Sequence, residues 1–319
     1  MKLNIIIPNY NGALFLPDCL DSLKNQTYNK FQVTVVDNGS TDQSLSLLKR
    51  SYPQVHIIEN KCNLGFAAAA NAGIQSSKTP YVMLLNNDTI LAPDCIRHLM
   101  NAIMYNPRIF SVGAYILTME KPHKVDTAGD FYSMYGYAFC RHQGLPAKKQ
   151  SYSQVFTNCG CAVIYRRTLL SMTGLFNSHY FAYLEDVDLG FRARRLGFQN
   201  VFCPSAIVYH YGSGTTGQKY TPFKVYYSAR NNVCLRRDNL TLFQRLLHGP
   251  FTLLGTFFKY VYFRQHHLQY AYRKGLFDGY RMKRMQDYPD FRSFIRTEPW
   301  IIYGTFLYTI QYIYRRLTS

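Results

Sequence analysis

The amino-acid sequence predicts an α/β protein with a mainly parallel central sheet, followed by a helical extension rich in basic and aromatic residues. Three observations carry this. Short β-rich runs alternate with helical patterns through the first third, each run ends in a loop of Asn, Asp or Gly, and the composition changes near residue 220. Such alternation implies βαβ units, in which ligands meet the carboxyl ends of the strands.

Strands are predicted over 3–7, 31–36, 55–58 and 81–85, with helices over 14–23, 42–50 and 66–75 between them. The loops at 9–12, 37–40, 60–65 and 86–88 therefore fall at strand ends. A helix over 94–106 has Pro93 near its start and Pro107 at its end. The stretch 110–156 is less periodic, mixing β-like runs with Gly129, Gly136 and Gly144. A strand over 162–165, a short helix over 167–172 stopped by Gly174, an amphipathic helix over 186–196 ended by Gly197 and a strand over 207–209 running into His210 complete it. This divides the chain into a catalytic unit, 1–219, and an extension, 220–319.

Charge separates the two parts. The whole chain carries 36 Lys/Arg against 18 Asp/Glu, a formal charge of +18 that suits anionic membranes, nucleic acid or phosphorylated substrates. Residues 1–219 hold 20 basic and 13 acidic side chains, whereas 220–319 hold 16 and 5. Between Thr241 and Met285 there are eleven Phe/Tyr and eight Lys/Arg against the single acid Asp278. The apolar stretches 251–263 and 300–314 fall short of the ~20 residues a membrane span needs. With 47% hydrophobic and 17% charged residues the chain is globular rather than disordered. Eight cysteines without a CxxC pair or zinc-site spacing read as reduced thiols of a cytosolic protein. The apolar run after Met1-Lys2 is too short for a secretion signal.

Five motifs can carry chemistry, and each has a plainer alternative. Asp37-Asn38-Gly39-Ser40 places a carboxylate and an amide at a strand end, where a nucleoside can dock; it also reads as a turn with Thr41-Asp42 capping the next helix. Asn63-Leu64-Gly65-Phe66 opens a helix of small residues, which suits close packing on the sheet or an N-terminus turned toward a diphosphate. Asn86-Asn87-Asp88 offers one carboxylate for a divalent cation bridging phosphates, or a solvated loop acid. Glu185-Asp186-Val187-Asp188 begins a helix, where acids favour the dipole; the preceding Tyr180-Phe181-Ala182-Tyr183 supplies aromatic walls that would raise the proton affinity of Asp186 toward general-base work. His210 precedes Gly212-Ser213-Gly214-Thr215-Thr216-Gly217, a loop suited to a lid over phosphates, with the imidazole as a metal ligand.

In their order and spacing these segments, with Ile6-Ile7-Pro8-Asn9-Tyr10-Asn11-Gly12, closely resemble family 2 glycosyltransferases across roughly residues 3–217. Asn63–Gly73, Arg192–Gly197 and Arg230-Asn231-Asn232 look most like the rhamnosyltransferase-type enzymes of bacterial surface-polysaccharide assembly. The resemblance implies the GT-A fold, a Rossmann-like nucleotide-diphospho-sugar transferase domain. It implies that Pro8, Asn9, Tyr10, Asp37 and Asn38 line the nucleoside pocket, and that Asn63, Gly65 and Asn87 approach the donor. Asp88 and His210 would hold Mg2+ or Mn2+, Asp186 would be the general base of an inverting displacement, and Glu185 and Tyr183 would face the acceptor. The implied partners are a nucleotide diphosphate-sugar and a glycan or polyprenyl diphosphate-linked acceptor.

The metal loop departs from the family's usual paired Asp, which leaves the ion leaning on His210 and the phosphates. The Gln-x-x-Arg-Trp signature of processive synthases is missing, so single-sugar transfer is expected. The basic-aromatic extension fits an anionic membrane surface, giving a cytoplasmic protein on the inner face of the cell membrane. A nucleotidyltransferase would need a basic Gly-rich loop where Asn9-Tyr10-Asn11-Gly12 stands. A nucleic-acid-binding role would leave the ordered acidic motifs without a purpose, so no nucleic acid is expected as a partner.

Overall fold

The computed structural model describes residues 1–212, 220–284 and 289–318, the side chains of 315–318 excepted. In chain order the elements are β1 (Leu3–Asn9), α1 (Leu16–Lys24), β2 (Phe31–Asp37), α2 (Ser44–Ser51), β3 (His56–Glu59), α3 (Phe66–Ser76), β4 (Tyr81–Leu85), β5 (Thr89–Leu91) and α4 (Cys95–Met104). Next come β6 (Ile109–Thr118), β7 (Val125–Thr127), β8 (Asp130–Tyr132), β9 (Ala138–Cys140), β10 (Ser153–Val155), β11 (Ala162–Arg166), α5 (Arg167–Thr173), α6 (Glu185–Arg195) and β12 (Gln199–His210). The chain closes with α7 (Pro222–Asn239), α8 (Leu242–Gln265), α9 (Gln269–Arg281) and α10 (Phe291–Thr318).

The main sheet runs β10-β12-β6-β11-β4-β1-β2-β3. It is parallel from β4 to β3 and again between β6 and β12, with β11 inserted antiparallel to both of its neighbours. Both faces are covered, and β1 shows how. Leu3, Ile5 and Ile7 meet α1 and α4 on one face, while Ile6 meets α3 on the other. The small residues of α3 bring it onto the sheet: a Cβ added at Gly73 would stand 2.3 Å from Ile6 Cγ2.

Nine of the ten residues of β6 are buried, so it shows no alternation in sequence. The predicted strand over 207–209 is the end of the longer β12, whose pairing with β6 breaks register between Cys203 and Ile207. The expected stop at Gly197 takes a left-handed φ of 82°, and Phe198 N–H returns to the Ala193 carbonyl at 3.0 Å.

The residues beyond 220 pack on the rest of the chain. Asn239 Nδ2 donates to buried Asp188 at 2.7 Å, and the Arg194 guanidinium lies 3.7 Å over the Trp300 ring. Met134 N–H donates to Thr305 Oγ1 at 2.8 Å, and Glu298 of α10 accepts from His248 and Gln244 of α8, each at 2.8 Å. No helix among the described residues is long and apolar enough to cross a membrane. Instead α8 leaves Leu242, Leu246, Leu253 and Phe257 exposed along one stripe, and α10 does the same with Phe291, Ile295, Ile302, Phe306 and Ile310.

Candidate active site

A cleft of about 730 Å³ opens where β1, β2 and β4 end and where β12 and α6 approach them. At one end it is walled by Pro8, Asn9, Tyr10, Asn38, Asn63, Gly65 and Asn87. Asp37 does not reach this wall. It is fully buried behind it, where its carboxylate accepts from Asn9 Nδ2 at 2.9 Å and from Ser40 N–H at 3.0 Å. Asn9 in turn accepts from Asn87 Nδ2 at 2.7 Å, so one hydrogen-bonded relay ties the first strand loop to the loop bearing Asp88. Gly12 permits this approach, since a Cβ there would stand 2.1 Å from Asn87 Nδ2.

Asn38 braces the next loop. Its amide donates to Asn63 Oδ1 at 3.0 Å and to the Gly65 carbonyl at 3.1 Å, while its oxygen accepts from Leu64 N–H at 3.2 Å. Gly65 caps α3 with φ 85°, and the first helical N–H, that of Phe66, is already taken by the Phe181 carbonyl at 2.7 Å. That carbonyl sits 2.4 Å from where a Gly65 Cβ would be, so only glycine allows the contact.

At the corner, His210 Nε2 lies 3.2 Å from Asp88 Oδ1 and Nδ1 lies 2.7 Å from Asp126 Oδ2. Burial works against charge on this ring, but Cys161, Asp126 and Asp88 together raise its proton affinity above the ordinary imidazole range. Asp88 and His210 would be the residues to hold a divalent cation here, the ion displacing the proton that now lies between them. Their 3.2 Å spacing is that of an ion pair, and both residues line the cleft. A carboxylate on the second ring nitrogen is the usual support of a metal-bound imidazole. The Gly212–Gly217 loop proposed as a lid lies, from Ser213 onward, outside the described residues.

On the opposite wall α6 begins with Glu185 and Asp186, after a backbone with φ of 61°, 69° and 70° at Phe181, Tyr183 and Leu184. That left-handed run is costly for non-glycine residues, and Asn231 of α7 holds it. Its Nδ2 donates to the carbonyls of Tyr180, Ala182 and Tyr183 at 3.0, 2.8 and 2.7 Å. Asp186 accepts from Gly160 N–H and Val187 N–H, both at 2.7 Å. Burial raises its proton affinity and these N–H donors oppose the rise. Glu185 is also raised, first by burial and then by the charge of Asp186, and its Oε2 is buried without a partner. Asp188 points away into a structural pair with Arg192 at 2.9 Å.

Sequence reasoning missed Asp126, Asp130 and the latch role of Asn231. Asp130 lies on the cleft within 4.8 Å of both Cys159 and Asp186, and burial followed by the Asp186 charge pushes it up to about 7. This trio matches Mg2+ or Mn2+ poorly, because a thiol is a soft ligand and both Asp186 oxygens already accept backbone N–H bonds. Asp126 and Asp130 are the only acids between Glu120 and Glu185, a signal the sequence did hold.

The model of glycosyl transferase family 2 matches residues 4–173. The N-acetylglucosaminyl-diphospho-decaprenol L-rhamnosyltransferase of Mycobacterium tuberculosis (H37Rv) is 27% identical over 241 residues, covering 68% of this chain and 78% of that protein. Among the curated relatives, the share of the relative's length that this chain spans runs from 26% to 78% in the first two. GalNAc-T7, solved with UDP, GalNAc and Mn2+, superposes with a TM-score of 0.61 at 15% identity, over 74% of this chain and 48% of that one. The mannosyltransferase PcManGT of Pyrobaculum calidifontis, solved with GDP-Man and Mn2+, does so at 0.56 and 16% identity, over 89% and 76%. These superpositions give the fold as GT-A. With more than half of its residues under the family model, this chain belongs to glycosyl transferase family 2 and is a glycosyltransferase.

Proposed function

We propose that this enzyme transfers a single sugar, with inversion, from a nucleotide diphosphate-sugar to a glycan or polyprenyl diphosphate-linked acceptor. The donor is a UDP- or dTDP-sugar, with dTDP-rhamnose the first to test because of the Mycobacterium relative. One observation supports the reading above others: a single cleft holds the Asp88–His210 pair, the Asn-rich loops and the half-buried carboxylate of Asp186.

In this reading Asn38, Asn63 and Gly65 hold the donor, and Asp37 fixes Asn9 from behind the wall. Mg2+ or Mn2+ bound by Asp88 and His210 would neutralise the charge of the departing diphosphate. Asp186 takes the acceptor hydroxyl proton as that oxygen bonds to the anomeric carbon. The bond from that carbon to the diphosphate breaks on the opposite face, which inverts its configuration. Glu185 and Tyr183 orient the acceptor.

The exposed apolar stripes of α8 and α10, on a region with 16 basic and 5 acidic side chains, support peripheral attachment to an anionic membrane on its cytoplasmic side. The division into a catalytic unit, 1–219, and a membrane-associating extension, 220–319, is part of the same proposal.

The test is Asp186→Asn. Turnover should fall by about 10²–10⁴-fold while nucleotide affinity in Mn2+ stays within about twofold. Near-normal turnover would remove Asp186 as the base.

A further inference from the structure

A second, narrow cavity of about 30 Å³ lies between α7, α8 and α9. Arg236 and Lys259 line it with Asn232, Tyr137 and Tyr272, and no carboxylate does. Ser228 lines this cavity and the cleft alike, so the two adjoin at that residue. Lys259 Nζ lies 3.3 Å from the centre of the Tyr137 ring, and the Tyr137 hydroxyl lies 3.4 Å from that of Tyr272. Neither cation forms an ion pair among the described residues. Asn232 keeps its Oδ1 buried without a partner. Burial, with Arg236 adding to it, lowers Lys259 to about 7. Two half-buried basic groups without a counter-charge disfavour each other's charged form, and an incoming anion would restore the charge on Lys259.

The position narrows the anion. The room is that of about two waters, which admits phosphoryl oxygens and not a sugar ring. Ala138 and Phe139, next in sequence to Tyr137, line the cleft together with Asp186 and Glu185, so the cavity flanks the acceptor wall. Lys259 also follows directly on Phe257 and Phe258, which are 59% and 61% exposed on α8. A helix lying on a membrane through those rings would carry Lys259 near headgroup depth.

We propose that Arg236 and Lys259 form a seat for the phosphoryl group joining an acceptor sugar to its lipid, the acceptor entering the cleft past Ser228. This rests on the reading that Asp186 serves an acceptor in that cleft, and it extends that reading to the acceptor's charged linkage.

The test titrates inorganic pyrophosphate into the purified full chain in EDTA, with UDP or dTDP in large excess over its metal-free affinity so that the donor site stays filled. Lys259→Gln and Arg236→Gln should each weaken pyrophosphate affinity at least about tenfold, with Lys259→Arg within about threefold of wild type. Wild type that ignores pyrophosphate, or Gln variants that bind it as wild type does, would overturn the proposal. In transfer assays the Gln variants should raise KM for a short polyprenyl diphosphate-linked sugar but not for the same sugar on an uncharged alkyl chain. An equal rise for both overturns the seat, as does loss of binding to phosphatidylglycerol vesicles with pyrophosphate affinity retained, since the pair would then serve bulk headgroups. Failure to bind any nucleotide-sugar would instead strike the transferase reading, and the pyrophosphate titration run without nucleotide still reports the seat.

Discussion

Asn231 Nδ2 stands 2.7 Å from the Tyr183 carbonyl, and through this bond α7 holds the left-handed backbone that delivers Asp186 to the cleft. The bond crosses 48 residues of sequence, and two companions from the same amide run to Tyr180 and Ala182. Asn231→Ala should remove a donor from the Ala182 and Tyr183 carbonyls, while Tyr180 keeps Arg230 and the Ala182 N–H, and let the 181–184 backbone relax. Stability should drop by about 1–3 kcal/mol and turnover by about 10²-fold, with nucleotide affinity nearly unchanged. Thermal melts and steady-state kinetics check this; full turnover in a folded variant would show that the latch does not set the base.

Asp126 holds His210 from behind, and in the proposed function that pair supports the metal. Replacing it with Ala removes the acceptor that orients His210 and should weaken Mn2+-dependent nucleotide affinity by about 10–100-fold. The variant and wild type should bind equally in EDTA. Titrations in both conditions decide it, and equal affinity in Mn2+ would exclude this support role.

Asp130 gives a signed pH dependence. Its carboxyl is raised from 3.8 to about 7, so between those values the folded chain holds a proton that the unfolded chain has lost. Its contribution is therefore fully present below about pH 4 and is lost as pH rises through about 7. Asp130→Asn should melt close to wild type at pH 4 and roughly 2–4 °C higher at pH 8. A difference that does not change with pH would rule this account out.

The α8 stripe predicts vesicle binding that can be separated from folding. Leu246 and Phe257 are exposed, so Leu246→Glu with Phe257→Glu should leave the melting temperature within about 1 °C. Co-sedimentation with phosphatidylglycerol vesicles should fall at least about fivefold, and salt should weaken wild-type binding. Unaltered co-sedimentation would place the membrane contact elsewhere.

Much of this was legible in the sequence because the physics is local. The alternating runs at β1, β2 and β4 and their Asn- and Gly-rich ends fix strands and loops within a few residues, and those loops bear most of one wall of the cleft. Asp37 misled because a strand end does not say which side chain turns outward; in the structure Asn38 faces the cleft and Asp37 is spent on Asn9. β6 escaped notice because burial on both faces erases its period. Asp126, Asp130 and Asn231 escaped because their partners lie far along the chain: His210 is 84 residues from Asp126.

The stacking of Arg194 on Trp300 has a practical side. The chain has one tryptophan, and it sits on the seam between α6, whose first turn holds Asp186, and the last helix. Its indole emission is thus a built-in optical reporter of whether that helix stays seated, readable in intact protein with no added label.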